Sequence, residues 1–98
     1  MTARDCNTLG EIRSNIDRID RELVKLLAER ASFVRRAGEL KATREAIVDP
    51  KRIEDIIADV RRRSRDLGLE ADVAEDVFRV MIGRFIDFEY EVFDRAHG

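Results

Sequence analysis

The chain has 98 residues, room for one small domain, and its 19 basic and 21 acidic residues are interspersed and nearly cancel. That balance excludes the one-sided basic surface of a nucleic-acid binder. The single Cys6 excludes an internal disulfide, and Cys6 with His97 gives almost no ligands for a transition metal. No apolar run approaches membrane length, and Met-Thr-Ala-Arg-Asp-Cys at the N-terminus carries no apolar signal core. A soluble, cytoplasmic protein is expected, with neither nucleic acid nor membrane as partner.

Residues 1–8 are polar and expected to be loose, with Thr8 as the N-cap of a first helix and Glu11 at the capping-box position. From there Leu9, Ile12, Ile16, Ile19, Leu23, Leu26, Arg30, Phe33, Ala37 and Leu40 follow at alternating steps of three and four. This is a heptad seam on one helix, predicted to run over residues 9–44 with Gly38 as its weak spot. At ~1.5 Å per residue such a helix is roughly 50 Å long, more than a monomer of this size can cover. A second copy of the chain is the expected partner.

The segment Glu45–Asp49 breaks the periodicity, and Asp49-Pro50 reads as the N-cap and first residue of a second helix over 50–67. Ile53, Ile56, Ile57 and Val60 share its apolar face, and Gly68 is its expected C-terminal cap. The run Arg61-Arg62-Arg63-Ser64-Arg65 fits a solvated last turn, favourable to the helix dipole, better than a phosphate-binding patch. A third helix is predicted over 70–94, with Val73, Val77, Phe78, Met81, Ile82, Phe85, Ile86, Phe88, Val92 and Phe93 on a broad apolar side. No strand or internal repeat is visible, so the fold class is all-α with three helices.

Charged residues in apolar positions point to a site. Arg30 occupies the seam, where a guanidinium is costly unless an anion meets it or its arm reaches out to water. Lys41 lies three turns further on, facing the same way about 16 Å along the helix, so the two cations can close on opposite ends of a small dianion. Arg13 is roughly 40 Å from Lys41 on the same helix and cannot serve that site. An antiparallel second copy crossing near residue 22 brings its Arg13 beside Arg30, and two-fold symmetry then makes two shared sites. Arg52, on the first turn of the second helix, follows a loop that would fold it back towards Lys41; the alternative is that it decorates an exposed turn. Read singly, Arg13 with Asp17 and Lys41 with Glu45 are also ordinary surface pairs. Glu89 sits among Phe85, Ile86, Val92 and Phe93, where desolvation disfavours the charged carboxylate and favours a proton-bearing hydrogen-bond donor. The alternative is a rim carboxylate paired with an arginine.

The run Ile12-Arg13-x-x-Ile16-Asp17-x-Ile19-Asp20-x-x-Leu23-x-x-Leu26-Leu27-x-x-Arg30, followed by Gly38-x-x-Lys41 and Asp49-x-x-Arg52, resembles the all-helical chorismate mutase family over roughly residues 9–93. The resemblance implies an intertwined homodimer that rearranges chorismate to prephenate with no cofactor, no metal and no covalent intermediate. It also implies roles for single residues. Arg13 is then the arginine supplied by the partner, and Arg30 and Lys41 bind the substrate carboxylate and ether oxygen. Asp49 and Arg52 lie near the substrate hydroxyl and carboxylate, Glu89 hydrogen-bonds the ether oxygen, and Ile53, Phe85 and Ile86 line the pocket.

Two positions depart from the usual family pattern. Glu89 stands where many bacterial members have Gln, which implies activity that falls as pH rises and Glu89 ionises. Ile53 stands where many mutases have a Glu that holds the substrate hydroxyl. The isochorismate-pyruvate lyase branch, which forms salicylate, also has an apolar residue there, so isochorismate is the second candidate substrate. A helical dimerisation module without catalysis is the rival outside enzymes, and such a module would tolerate Leu at position 30.

Overall fold

The computed structural model describes residues 2–98, and these are helical, with no strand among them. The helices are α1 (Leu9–Leu40), α2 (Pro50–Leu67) and α3 (Ala71–His97), with 3-10 turns at Ala3–Asp5 and Arg44–Ile47. Among the described residues, no helix is long and apolar enough to cross a membrane. The chain divides into two compact units whose boundary falls inside α1, after Phe33.

In the first unit, the N-terminal segment is not wholly loose: Thr2 and Asp5 cap each other across the Ala3–Asp5 turn. The Thr8 hydroxyl accepts from the Glu11 backbone N–H at 3.1 Å, the forward half of the expected capping box. The return bond differs, since the Glu11 carboxylate takes the Asn7 N–H at 3.4 Å. Along α1 the heptad residues face solvent in the single chain, with Leu9, Ile16, Leu23, Leu26 and Phe33 each half exposed or more.

The second unit has its core at Ile47, Ile57, Ala74, Ile82, Val92 and Phe93. Helix α2 begins where Asp49 accepts a hydrogen bond from the Arg52 N–H and Pro50 supplies a preset φ. It ends at Gly68, whose φ of 76° is the left-handed conformation that glycine adopts without a Cβ penalty. The Leu69 N–H then closes on the Ser64 carbonyl at 2.8 Å, turning the chain into α3.

Two boundaries differ from the sequence expectation. Helix α1 stops at Leu40, not at residue 44: Thr43 is extended (φ −133°, ψ 152°), and the Arg44–Ile47 turn delivers Ile47 to the core, where it is 4% exposed. A β-branched Thr is a weak helix former and offers little resistance to that exit. Helix α3 continues to His97, not 94, with the imidazole stacked on the Phe93 ring at 4.2 Å.

An alternating chain of charges ties α2 to α3. Arg79 grips both oxygens of Glu54 at 2.9 and 3.0 Å and also donates to Glu75 at 2.7 Å. Arg61 takes the other Glu75 oxygen at 2.7 Å and Asp72 at 2.9 Å. Of the basic run, Arg61 therefore serves the helix hairpin, while Arg62 and Arg63 both close on Asp59. A phosphate patch is the poorer reading of that run, because Arg61, Arg62 and Arg63 are already matched.

Hydrogen bonds from Arg79 hold the carboxyls of Glu54 and Glu75 below their ordinary value of 4.5, with Arg61 adding to the effect at Glu75. A depressed carboxylate contributes stability above its unfolded pKa and loses it as pH falls through the folded one. Arg79→Leu should therefore lower the melting temperature most near neutral pH, and the gap to wild type should close as pH falls below 4.5. Melts of both proteins across that range test this, and a gap independent of pH would mean the network is not what Arg79 contributes.

Candidate active site

Lys41 lies just beyond the last residue of α1, its N–H still bonded to the Ala37 carbonyl at 3.0 Å. Its ammonium meets the carboxylate of Glu89 on α3, with Nζ 2.5 Å from Oε2. Glu89 is 7% exposed and takes its place between the buried residues Ile82 and Val92 along α3. The contact has the short geometry of a charge-assisted hydrogen bond. Sequence reasoning offered a neutral donor or a rim carboxylate paired with an arginine; the structure gives a buried carboxylate paired with a lysine.

Three further features set this pair. Gly38, one turn before Lys41, is buried against α3: a Cβ built on it would lie 3.2 Å from Val92 Cγ1 and 3.3 Å from both Glu89 Cγ and the Glu89 carbonyl oxygen. The Arg44 guanidinium lies over the Tyr90 ring at 4.2 Å and donates to Asp94 at 3.1 Å, fastening the Arg44–Ile47 turn to α3. That bond to Asp94 also raises the pKa of Arg44. Arg35 sits over the Phe88 ring at 5.4 Å, and Phe88 packs edge-on to Phe85 at 6.3 Å. Sequence reasoning marked Gly38 as a weak spot of the helix and as part of the family-like Gly38-x-x-Lys41 spacing, and placed Arg44 at the helix end, but missed the packing of both against α3.

The other expected site residues fall as follows. Asp49 spends one carboxylate oxygen on the cap of α2, at 3.0 Å from the Arg52 N–H, while the Arg52 side chain is exposed on the first turn. Ile53 follows it half-buried, and Phe85 and Ile86 are half-buried on α3. Arg13 and Arg30 belong to the first unit, Arg13 exposed and Arg30 half-buried. The second unit alone therefore brings Lys41 and Glu89 into contact. It offers a cation and a carboxyl group beside apolar walls, which is the equipment of binding and electrostatic stabilisation.

Residues 12–90 match the family model described as chorismate mutase type II. Over 97 residues the chain is 32% identical to an isochorismate pyruvate lyase of Pseudomonas aeruginosa, a match covering 99% of this chain and 96% of that protein. A chorismate mutase of Methanocaldococcus jannaschii is 32% identical over 75 residues, 76% of either chain. The T-protein of Haemophilus influenzae is 36% identical over 72 residues, which is 72% of this chain but 19% of that one.

Removing the ammonium while leaving the carboxylate buried should cost stability. Lys41→Met is expected to lower the unfolding free energy by about 1–3 kcal/mol, the penalty of a polar group stripped of its partner. Lys41→Met/Glu89→Gln should recover part of that loss, because the remaining group no longer carries a charge. Urea melts at fixed protein concentration measure both, and an unaltered midpoint in Lys41→Met would show that water replaces the ammonium at no cost.

Proposed function

The chain belongs to the chorismate mutase type II family, and we propose on that footing that it converts chorismate to prephenate as a cytoplasmic, cofactor-independent homodimer. The observation that carries this reading is the Lys41–Glu89 pair, a cation and a carboxyl group held 2.5 Å apart by a chain with that family's pattern. In the rearrangement an ether C–O bond breaks while a C–C bond forms within one molecule. No atom is gained or lost, and the protein need form no covalent bond. What it supplies is orientation of a compact conformer and charge stabilisation at the ether oxygen.

In this mechanism the substrate enters beside the pair and takes the Lys41 ammonium onto its ether oxygen. Glu89 holds that ammonium in place from α3 and flanks the same oxygen. Arg30 and Arg52 hold the carboxylates, Asp49 lies near the ring hydroxyl, and Ile53, Phe85 and Ile86 form the wall. Arg13 comes from the partner. All 98 residues act as one domain of the dimer. Support for the dimer lies in the α1 seam, whose half-exposed Leu and Ile residues carry a cost in water that a second α1 would remove. An antiparallel arrangement crossing near residue 22 makes both sites two-chain sites.

A second reading has its own observation. The match to the Pseudomonas lyase runs over 97 residues, and Ile53 puts an apolar side chain where a hydroxyl-binding carboxylate is usual in mutases. Release of pyruvate from isochorismate, leaving salicylate, makes the same demands on the protein: a bound dicarboxylate and positive charge at a breaking C–O bond.

Turnover of chorismate and isochorismate side by side, with products separated, decides between them. Prephenate formed at an ordinary enzymatic rate supports the mutase, whereas salicylate and pyruvate with chorismate barely consumed would move the assignment to the lyase. Neither reaction would leave the dimerisation module. Glu89→Gln keeps a hydrogen-bonding group beside Lys41 and should retain measurable turnover, whereas complete loss would show that the charge of Glu89 is what the site needs.

Shared sites predict complementation. Arg13→Ala and Arg30→Ala homodimers should each lose most activity, about a hundredfold or more if each cation aligns the substrate. Mixing them should restore one intact site per hybrid dimer. Mixtures that recover nothing, under conditions where subunits exchange, would rule out the two-chain site.

A further inference from the structure

At Gly38 the end of α1 packs against Glu89 on α3, and the geometry points to a positioning role for this glycine. We infer that the missing Cβ of Gly38 fixes the Glu89 carboxyl against the Lys41 ammonium, so that Gly38 sets the active pair without touching substrate. The inference rests on the reading of Lys41 and Glu89 as the reacting pair, and it adds a residue to which no chemistry attaches.

The argument is steric. Two of the three atoms nearest a Cβ at position 38 belong to Glu89, its Cγ and its backbone carbonyl oxygen, both at 3.3 Å. The third is Val92 Cγ1, at 3.2 Å. The two carbon separations are inside the ~3.5–4.0 Å optimum for carbon contacts, and the carbonyl oxygen closes the third side. Val92 can answer by rotating, but the Glu89 carbonyl belongs to the α3 backbone and cannot. The added methyl must then shift α3 or the Glu89 side chain by a few tenths of an ångström. Either motion acts on a 2.5 Å contact made one turn further along, at Lys41. Gly83, on α3, is the internal control, because nothing lies within 4 Å of a Cβ built there.

Alanine is the better helix former at both positions, so the two substitutions share their local effect and differ in what the methyl meets. Gly38→Ala should lower kcat by about tenfold with KM changed much less, as expected for misplacement of a reacting group. Gly83→Ala should stay within about twofold of wild type in that comparison. A double-mutant cycle separates positioning from general damage. In a Glu89→Ala background the carboxyl is already gone, and Gly38→Ala should then cost little more. A full loss in both backgrounds, or no loss in wild type, overturns the inference.

A crystal structure of Gly38→Ala supplies a readout that needs no turnover. The Lys41 Nζ to Glu89 Oε2 contact should lengthen measurably from 2.5 Å, and an unmoved pair overturns the inference even if activity falls. If wild type converts neither substrate, the proposed function fails while this structure still decides the role of Gly38. Should the single variant not fold, Gly38→Ala/Val92→Ala removes one contact, keeps both contacts to Glu89 and carries the same test.

Discussion

A carboxylate can lie buried on the apolar side of α3 because an ammonium reaches it, and much of the second unit is arranged around that contact. Glu89 would lose hydration without compensation if Lys41 were elsewhere. Lys41 is elsewhere in sequence, 48 positions away, and several features deliver it. Gly38 lets the end of α1 approach α3, the helix stops at Leu40, and the turn that follows is fastened by Arg44 to Tyr90 and Asp94. Ile47, buried in the core, closes the same segment from the other end. Ion pairs of this kind add little to stability compared with an apolar pair of similar volume.

Around the pair, the α2–α3 hairpin acts as a frame. Its turn is closed by Gly68 and the Leu69 N–H, and its outer side is laced by Arg79, Glu54, Glu75 and Arg61. Exposed pairs contribute little singly, but the shared Glu75 and the two-oxygen grip of Arg79 on Glu54 make a connected network with fixed geometry. The same hairpin carries Asp49, Arg52 and Ile53 at one end of α2, and Phe85, Ile86 and Glu89 along α3. Side chains mounted on helices held in this way keep their positions better than side chains on loops.

The first unit poses the opposite problem. Its apolar seam is exposed in a single chain, and Arg30 interrupts it. A seam of this length makes sense as one half of a larger core, and a charge within it makes sense where the covering surface also holds an anion. The proposed dimer answers both with one symmetry operation. In that proposal a second copy also supplies cover that a core of this size cannot provide alone.

Much of this was legible in the sequence, for a reason that is local. Helix type, the heptad seam and the caps at Thr8, Asp49 and Gly68 depend on residues three and four apart, and periodicity exposes those relations directly. Glu89 could be singled out because a carboxylate on an apolar face violates the same pattern. The partner of Glu89, the exit of the chain at Leu40, the clasp of Arg44 on Tyr90 and Asp94, and the closeness of Gly38 to α3 were decided only by the tertiary structure. Each depends on which surfaces meet once the helices fold back on one another, over separations at which one residue type carries no information about another. Glycine at position 38 shows the difference: helix propensity alone makes it a defect, and only the packed neighbour gives its missing Cβ a physical reason.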